Sequence, residues 1–269
     1  MTVIYPLFQA LTSHHKTGII GKMDTVYTKE LTIRFSETDN TGKFKVVSMF
    51  DSFQDVGSEH AAVIKLSARD LLTRNYTWVM LKYNVRIERL PMWNESVVMK
   101  TWRCPHRNLY ELREFDLYDR DGNRIIQALS SWVMMNFDSR KPVRLDRFIP
   151  QEQMDHQKSV PDDFSRLTLL QEFDEKISFK VRMQDIDFNN HVNNSVYIGW
   201  AIEAVPETVL QKQRLKQIEV NYINEISHGN VIYSRIRKSE ETDETVFYHN
   251  IMGGDGRTEL TRLKTVWQN

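Results

Sequence analysis

Residues 33–55, IRFSETDNTGKFKVVSMFDSFQD, lie over residues 181–203, VRMQDIDFNNHVNNSVYIGWAIE, without a gap. Arg34 falls on Arg182, Asp39 on Asp187 and Asp55 on Glu203. Further along, WVMLKYNVRIERLPMWNESV (78–97) pairs with LKQIEVNYINEISHGNVI (215–232), and DGNRIIQALSSW (121–132) pairs with DGRTELTRLKTVW (255–267). Single matches of this kind are common. A fixed order of matches at near-constant offsets points to a duplicated domain.

Each copy has the same coarse plan. A strand-like segment comes first, TKELTIRF in one copy and KISFKVRM in the other. A helix follows: Val46, Phe50, Phe53, Gly57, Ala61 and Ile64 recur near helical spacing, as do Val192, Val196, Trp200 and Ala204 before Pro206. Several strands come next. Val79, Leu81, Tyr83, Val85 and Ile87 alternate with Met80, Lys82, Asn84 and Arg86, largely a period of two. Asp121-Gly122 and Asp255-Gly256 read as hairpins. An antiparallel sheet needs its apolar face covered, so the expected class is α+β, with a long central helix wrapped by a curled sheet in each copy. The expected divisions are an extension at 1–23, a first domain at 24–145, a linker at 146–173 and a second domain at 174–269. The linker reading rests on the Pro- and charge-rich run from Asp138 to Leu167.

Composition narrows the class. Apolar residues make up 41% and charged residues 27% of 269 residues, and the formal net charge is zero. That describes an ordinary globular protein, with nothing global to suggest nucleic acid. No run approaches the roughly 18 apolar residues of a membrane span. The first 22 residues put apolar positions before basic ones, the reverse of a signal peptide. Cys104 is the single cysteine, which excludes an internal disulfide and fits a reducing cytoplasm.

Within copy two, DFNNHVNN (187–194) sets a carboxylate, an amide and an imidazole at alternate positions: Asp187, Asn189 and His191. In an extended segment those three side chains would share a side. The helix that follows would bring free N–H groups and a positive dipole end, able to hold a developing oxyanion. Such a set suits attack on a carbonyl, including a thioester. A plainer reading is that Asn193 or Asn194 caps the helix, Asp187 takes a structural hydrogen bond and His191 is an ordinary packed residue. Copy one keeps Asp39 but has Thr41 and Lys43 where Asn189 and His191 stand. That asymmetry makes copy two the specialised one.

The stretch NNHVNNSVYIGWAIEAVP closely resembles the motif of acyl-ACP thioesterases, which release fatty acids from acyl carrier protein. YNVRIERLPMWNESVVMKTW and SSWVMMNFDSRKPVRL resemble that family's first half, and the likeness runs over roughly residues 24–269. It implies two tandem hotdog domains and hydrolysis of the acyl thioester to free fatty acid and holo-ACP. The family's Asp-x-Asn-x-His segment is matched by Asp187, Asn189 and His191, and its further Glu, 34 positions after the His, by Glu225. The Cys that often follows this Glu is replaced by Ile226.

The expected mechanism is therefore water attack. Glu225 takes a proton from water, His191 assists or protonates the leaving thiolate, and Asp187 orients His191. Asn189 and the helix-start N–H groups hold the thioester oxygen. A thioester is already activated, so no metal or cofactor is expected. Cys104 reads as a small half-buried apolar residue, and His106 is a weak partner for it. One geometric difficulty stands out: Ile218, Val220 and Tyr222 share a strand face whose parity Glu225 does not share, so either the catalytic side is opposite those residues or a bulge re-aims the chain.

The acyl tail needs an apolar channel, since each buried CH₂ contributes about 0.8 kcal/mol. Copy one is its expected host, with Val46, Phe50, Phe53, Ile64, Met80 and Trp93 as lining candidates, and Met99 and Trp102 beside them. Acyl carrier protein is the expected partner. A local basic patch would dock it, either Lys212, Arg214 and Lys216 or Arg140, Lys141 and Arg144. A homodimer is left open. The competing readings are a hotdog acyl-CoA thioesterase, a hotdog dehydratase and a non-catalytic acyl-binding module.

Overall fold

A computed structural model describes residues 25–107, 109–149, 164–187, 190–240 and 243–269. The expected extension at 1–23, the middle of the linker and Asn189 lie outside the described residues. Copy one runs β1 (Val26–Thr32), α1 (Val46–Val63), α2 (Ala68–Leu72), β2 (Tyr76–Ile87), β3 (Ser96–Arg107), β4 (Tyr110–Tyr118) and β5 (Arg124–Asn136). Copy two runs β6 (Glu175–Lys180), α3 (Asn194–Glu203), α4 (Glu207–Lys212), β7 (Arg214–Tyr222), β8 (Val231–Lys238), β9 (Thr245–Gly253) and β10 (Glu259–Gln268).

The strands form one antiparallel sheet in the order β1-β3-β4-β5-β2-β7-β10-β9-β8-β6. Read inward from its own edge, each copy has the same order. The equivalent strands β2 and β7 meet at the centre, with Tyr83 opposite Val220 and Val85 opposite Ile218. This pairing satisfies two strand edges that would otherwise be open. It also puts α1 and α3 side by side, where the Ser195 hydroxyl bonds the Asp51 carboxylate.

α1 buries Met49, Phe50, Phe53, Val56, His60 and Ala61, a stripe at three- and four-residue spacing. Phe53 packs 5.0 Å from the Phe115 ring and 6.1 Å from Tyr83, joining the helix to β4 and β2. A fully buried side chain of this size contributes about 1.5–3 kcal/mol. The second helix is shorter than its apolar spacing predicts. It ends at Glu203, and α4 restarts after Pro206.

The ends of the expected linker do not cross an open surface. Leu145 and Ile149 are buried against Leu66, Leu71 and Met134. The Ser165 backbone N–H and hydroxyl both donate to Glu219 at 3.0 Å. The Leu170 N–H donates to Asn250 Oδ1, and Arg262 donates to the Leu167 carbonyl at 2.7 Å. Glu219, Asn250 and Arg262 lie on β7, β9 and β10. The segment thus supplies partners to polar groups on the sheet face opposite the helices, which burial requires.

Candidate active site

The Asp187 segment is a closed turn, not the extended run expected from its alternation. The Asp187 N–H donates to the His191 carbonyl at 2.8 Å, and the Asn190 N–H donates to the Asp187 carbonyl at 3.0 Å. Asp187 Oδ1 accepts from the His191 backbone N–H at 3.3 Å. Asn190 takes a φ of 64°, a left-handed conformation that Asn tolerates. A short acidic side chain that bonds its own backbone favours such a turn over a strand. The plainer reading of Asp187 and Asn193 thus describes their bonds. Asn193 caps α3 by accepting from the Ser195 N–H at 3.1 Å.

The imidazole turns away from this loop. His191 Nε2 lies 3.2 Å from Glu225 Oε2. A bulge does re-aim Glu225. After β7, the Ile223 and Asn224 N–H groups both donate to the Leu260 carbonyl, at 2.9 and 3.2 Å, which breaks the alternation and shifts the parity. Beyond it, the Ile226 N–H bonds the buried Tyr197 hydroxyl, whose acidity is suppressed chiefly by burial. The residue that follows the Glu is therefore held by its backbone.

Sequence reasoning missed a third member. Arg140 Nη2 lies 3.0 Å from the same Glu225 Oε2. Arg140 had been a candidate for docking acyl carrier protein. It comes from copy one, in the turn after β5, with a φ of 54°. Its N–H donates to the Asn136 carbonyl, and Asn136 Oδ1 accepts from Ser139 N and Oγ, both at 2.9 Å. No spacing rule links Arg140 to Glu225, 85 positions away. Arg140 and His191 thus both contact Oε2, and among the described residues no side chain pairs with Oε1. The three side chains are 37–48% exposed, enough for substrate access.

A cleft of about 820 Å³, counting its mouth, is lined by Asp187 and Asn194 of copy two and otherwise by copy one, with His191, Glu225 and Arg140 outside its lining. Phe53, Met80 and Trp132 form apolar walls. Of the six lining candidates, Phe53 and Met80 are in place. Phe50 packs in the core edge-on to Phe53 and Tyr83, and Val46 packs at that core's margin. Ile64 belongs to the separate cluster under the linker. Trp93 stands exposed against Phe35. Helical spacing marked α1's apolar face without distinguishing the part that packs from the part that lines a void.

Cys104 is fully buried with Trp102, Leu112 and Leu129, its sulfur 3.5 Å from Glu114. The His106 side chain lies outside the described ones. In the basic patches, Lys216 pairs with Glu244 and Arg144 with Asp146, both at 2.7 Å. Among the described residues, no group of three or more His, Cys, Asp or Glu could hold a metal ion. No helix among them is long and apolar enough to cross a membrane.

Comparison with known proteins places these features. The chain is 27% identical to the chloroplastic oleoyl-acyl carrier protein thioesterase of Coriandrum sativum, over 92% of this chain and 71% of that one. It is 28% identical to the chloroplastic acyl-[acyl-carrier-protein] hydrolase FATB2 of Cuphea viscosissima, over 93% of this chain and 65% of that one. Its fold matches the crystal structure of an acyl-ACP thioesterase from Bacteroides thetaiotaomicron with a TM-score of 0.82 and 22% identity, covering 93% of this chain and all of that one. That likeness makes the helix-and-sheet halves hotdog folds. Residues 24–152 match the acyl-ACP thioesterase N-terminal domain and residues 170–269 the C-terminal domain. Together these matches span well over half the sequence, and the chain belongs to the acyl-ACP thioesterase family.

Proposed function

We propose that the protein hydrolyses the thioester of fatty acyl carrier protein, releasing a free fatty acid and holo-ACP. The observation that carries this reading is the convergence of His191 and Arg140 on one oxygen of Glu225. Glu225 Oε1 takes a proton as water oxygen attacks the acyl carbon. The carbonyl electrons move to oxygen, and the oxyanion lies at the start of α3, where the helix dipole stabilises it. Asn189, by its match to the family motif, is a further donor there. The carbonyl re-forms as the C–S bond breaks, and His191 passes to the departing thiolate the proton that Glu225 took from water. Arg140 and His191 fix the carboxylate, while Asp187 shapes the turn that carries His191. The tail occupies the cleft in copy one, between Phe53, Met80 and Trp132. A cytoplasmic location belongs to this reading, alongside the plastid location in the names of the plant relatives.

The test is incubation with acyl-ACPs of graded length, reading free fatty acid, with acyl-CoAs of equal length in parallel. Release from acyl-ACP, favoured over acyl-CoA and lost in Glu225→Gln, is the expected result. Equal turnover of acyl-CoA would make the protein a general thioesterase, and no release from any chain would sink the reading.

A further inference from the structure

The floor of the cleft is charged, which a plain hydrocarbon tail does not call for. Glu111 and Arg113 from β4 both line it, and they are only 3% and 6% exposed. Gln54 and Thr77 add polar atoms to the walls. Arg113 Nη1 bonds His60 Nδ1 at 2.9 Å and Thr101 Oγ1 at 3.2 Å. Among the described residues its Nη2 makes no hydrogen bond and stands 4.0 Å from Glu111 Oε1.

Arg113 shares its nearest carboxylate with a second guanidinium group. Glu111 is engaged by Arg103, whose Nε lies 2.7 Å from Glu111 Oε1. Arg103 is itself 1% exposed, and among the described residues its Nη1 has no partner. Burial and the two guanidinium groups hold His60 neutral, its pKa lowered to about 3. One carboxylate therefore serves two buried guanidinium groups. While the cleft is wet, water can complete the Arg113 shell. A hydrocarbon tail would expel that water and leave the donors unmatched, at the cost of a desolvated charge.

Resting on the acyl-ACP hydrolysis reading, we infer that the preferred acyl chain carries a hydrogen-bond-accepting oxygen, a hydroxyl or an oxo group, towards its distal part, where Arg113 receives it. The position follows from the helix. Ser195 meets α1 at Asp51, near the mouth, whereas Arg113 meets α1 at His60 and passes Gly57. Six to nine helical residues span roughly 9–14 Å. That distance lies well beyond the β-carbon of an acyl thioester. Gly57 itself lines the cleft, and a Cβ there would lie 3.7 Å from the Arg113 Cδ and 3.4 Å from the Phe115 ring. Its missing side chain keeps the approach to Arg113 open.

The experiment compares kcat/KM of the full chain for saturated acyl-ACPs of one length with no hydroxyl, a β-hydroxyl or a hydroxyl near the ω end. The ω-end hydroxyl should be preferred over the plain chain by about tenfold or more, the scale for a charged donor matched by its ligand. The β-hydroxyl should give no such gain. Arg113→Met should erase the preference while still cleaving the plain chain. Since that variant can fail to fold, Gly57→Ala supplies a second reading: it keeps the charges, narrows the approach, and should reduce the preference. Intact hydrolysis of plain chains with no gain from a distal hydroxyl would overturn this inference alone. Absence of hydrolysis for every chain would overturn the proposed function and this inference with it.

Discussion

The loops at Asp39 and Asp187 share their hydrogen bonds and differ in their chemistry. Asp39 N–H donates to the Lys43 carbonyl at 2.8 Å, and Asp39 Oδ1 accepts from the Lys43 N–H at 3.0 Å. The same bonds join Asp187 and His191. Gly42 has a φ of 79° where Asn190 has 64°. The bulge is also repeated: the Glu88 and Arg89 N–H groups share the Ile125 carbonyl as Ile223 and Asn224 share Leu260. Counting on from those matched bonds, Leu90 stands where Glu225 does. The scaffold was kept twice and the ionisable pair once. Asp187 belongs to the part that both copies retain, so its first duty is to the loop. His191 and Glu225 belong to the part only copy two has.

The largest effect expected from this comparison is at the pair itself. His191→Ala and Glu225→Gln should each lower kcat by about 10²–10⁴, the scale for an acid–base group. Lys43→Ala and Leu90→Ala should leave it within a few-fold. Equal losses in the two copies, among folded variants, would break the assignment of chemistry to copy two.

A smaller effect is expected at Arg140, where copy one reaches into the other copy's site. Arg140→Met should reduce kcat by about tenfold, the lower range for losing a charge-assisted hydrogen bond, because the pair is partly screened by solvent. The rate should fall more than KM changes. An unchanged rate would remove Arg140 from the site and return it to the candidates for docking acyl carrier protein.

The two Asp residues sharpen the comparison further. Asp39→Ala and Asp187→Ala should each destabilise the protein by about 1–2 kcal/mol, the scale of a lost cap or structural bond, in denaturant melts. Only Asp187→Ala should also slow turnover, by displacing His191. A stability loss confined to one copy would show that the loops are not equivalent.

The last comparison concerns pH. Each half holds a buried histidine, His60 and His249, whose pKa burial lowers to about 3. Both are neutral when folded and take up protons when unfolded below about pH 6.5. Their contribution is thus complete above pH 6.5 and is lost as pH falls towards 3, at up to about 1.4 kcal/mol per pH unit for each group. Half-buried Asp51 and buried Asp116, raised chiefly by burial, oppose this trend. The clean measurement is the difference from His60→Gln or His249→Gln, whose melting temperature should depend less steeply on acid. An unchanged slope would mean that these histidines do not titrate in the unfolded state as free groups.

The sequence by itself pointed to the duplication and the strand–helix–strands order of each copy and singled out His191, whereas Glu225 came only from the family resemblance. Those features are local or periodic. Turn-forming Asp, left-handed Gly or Asn and the apolar stripe of α1 act through bonds a few residues long, so their pattern survives in one dimension. Tertiary structure alone decided which way those residues point. The Glu225 direction depends on a carbonyl of β10, Arg140 arrives from the other copy, and Phe50 packs where Phe53 lines the cleft. In each case the deciding partner lies on a different element, and a residue's own neighbours in sequence carry no record of it. The same holds for the linker, whose polar contacts exist because β7 and β9 present Glu219 and Asn250 to it. Buried polar groups must find partners wherever the fold brings them, and the fold, not the spacing, supplies the pairing.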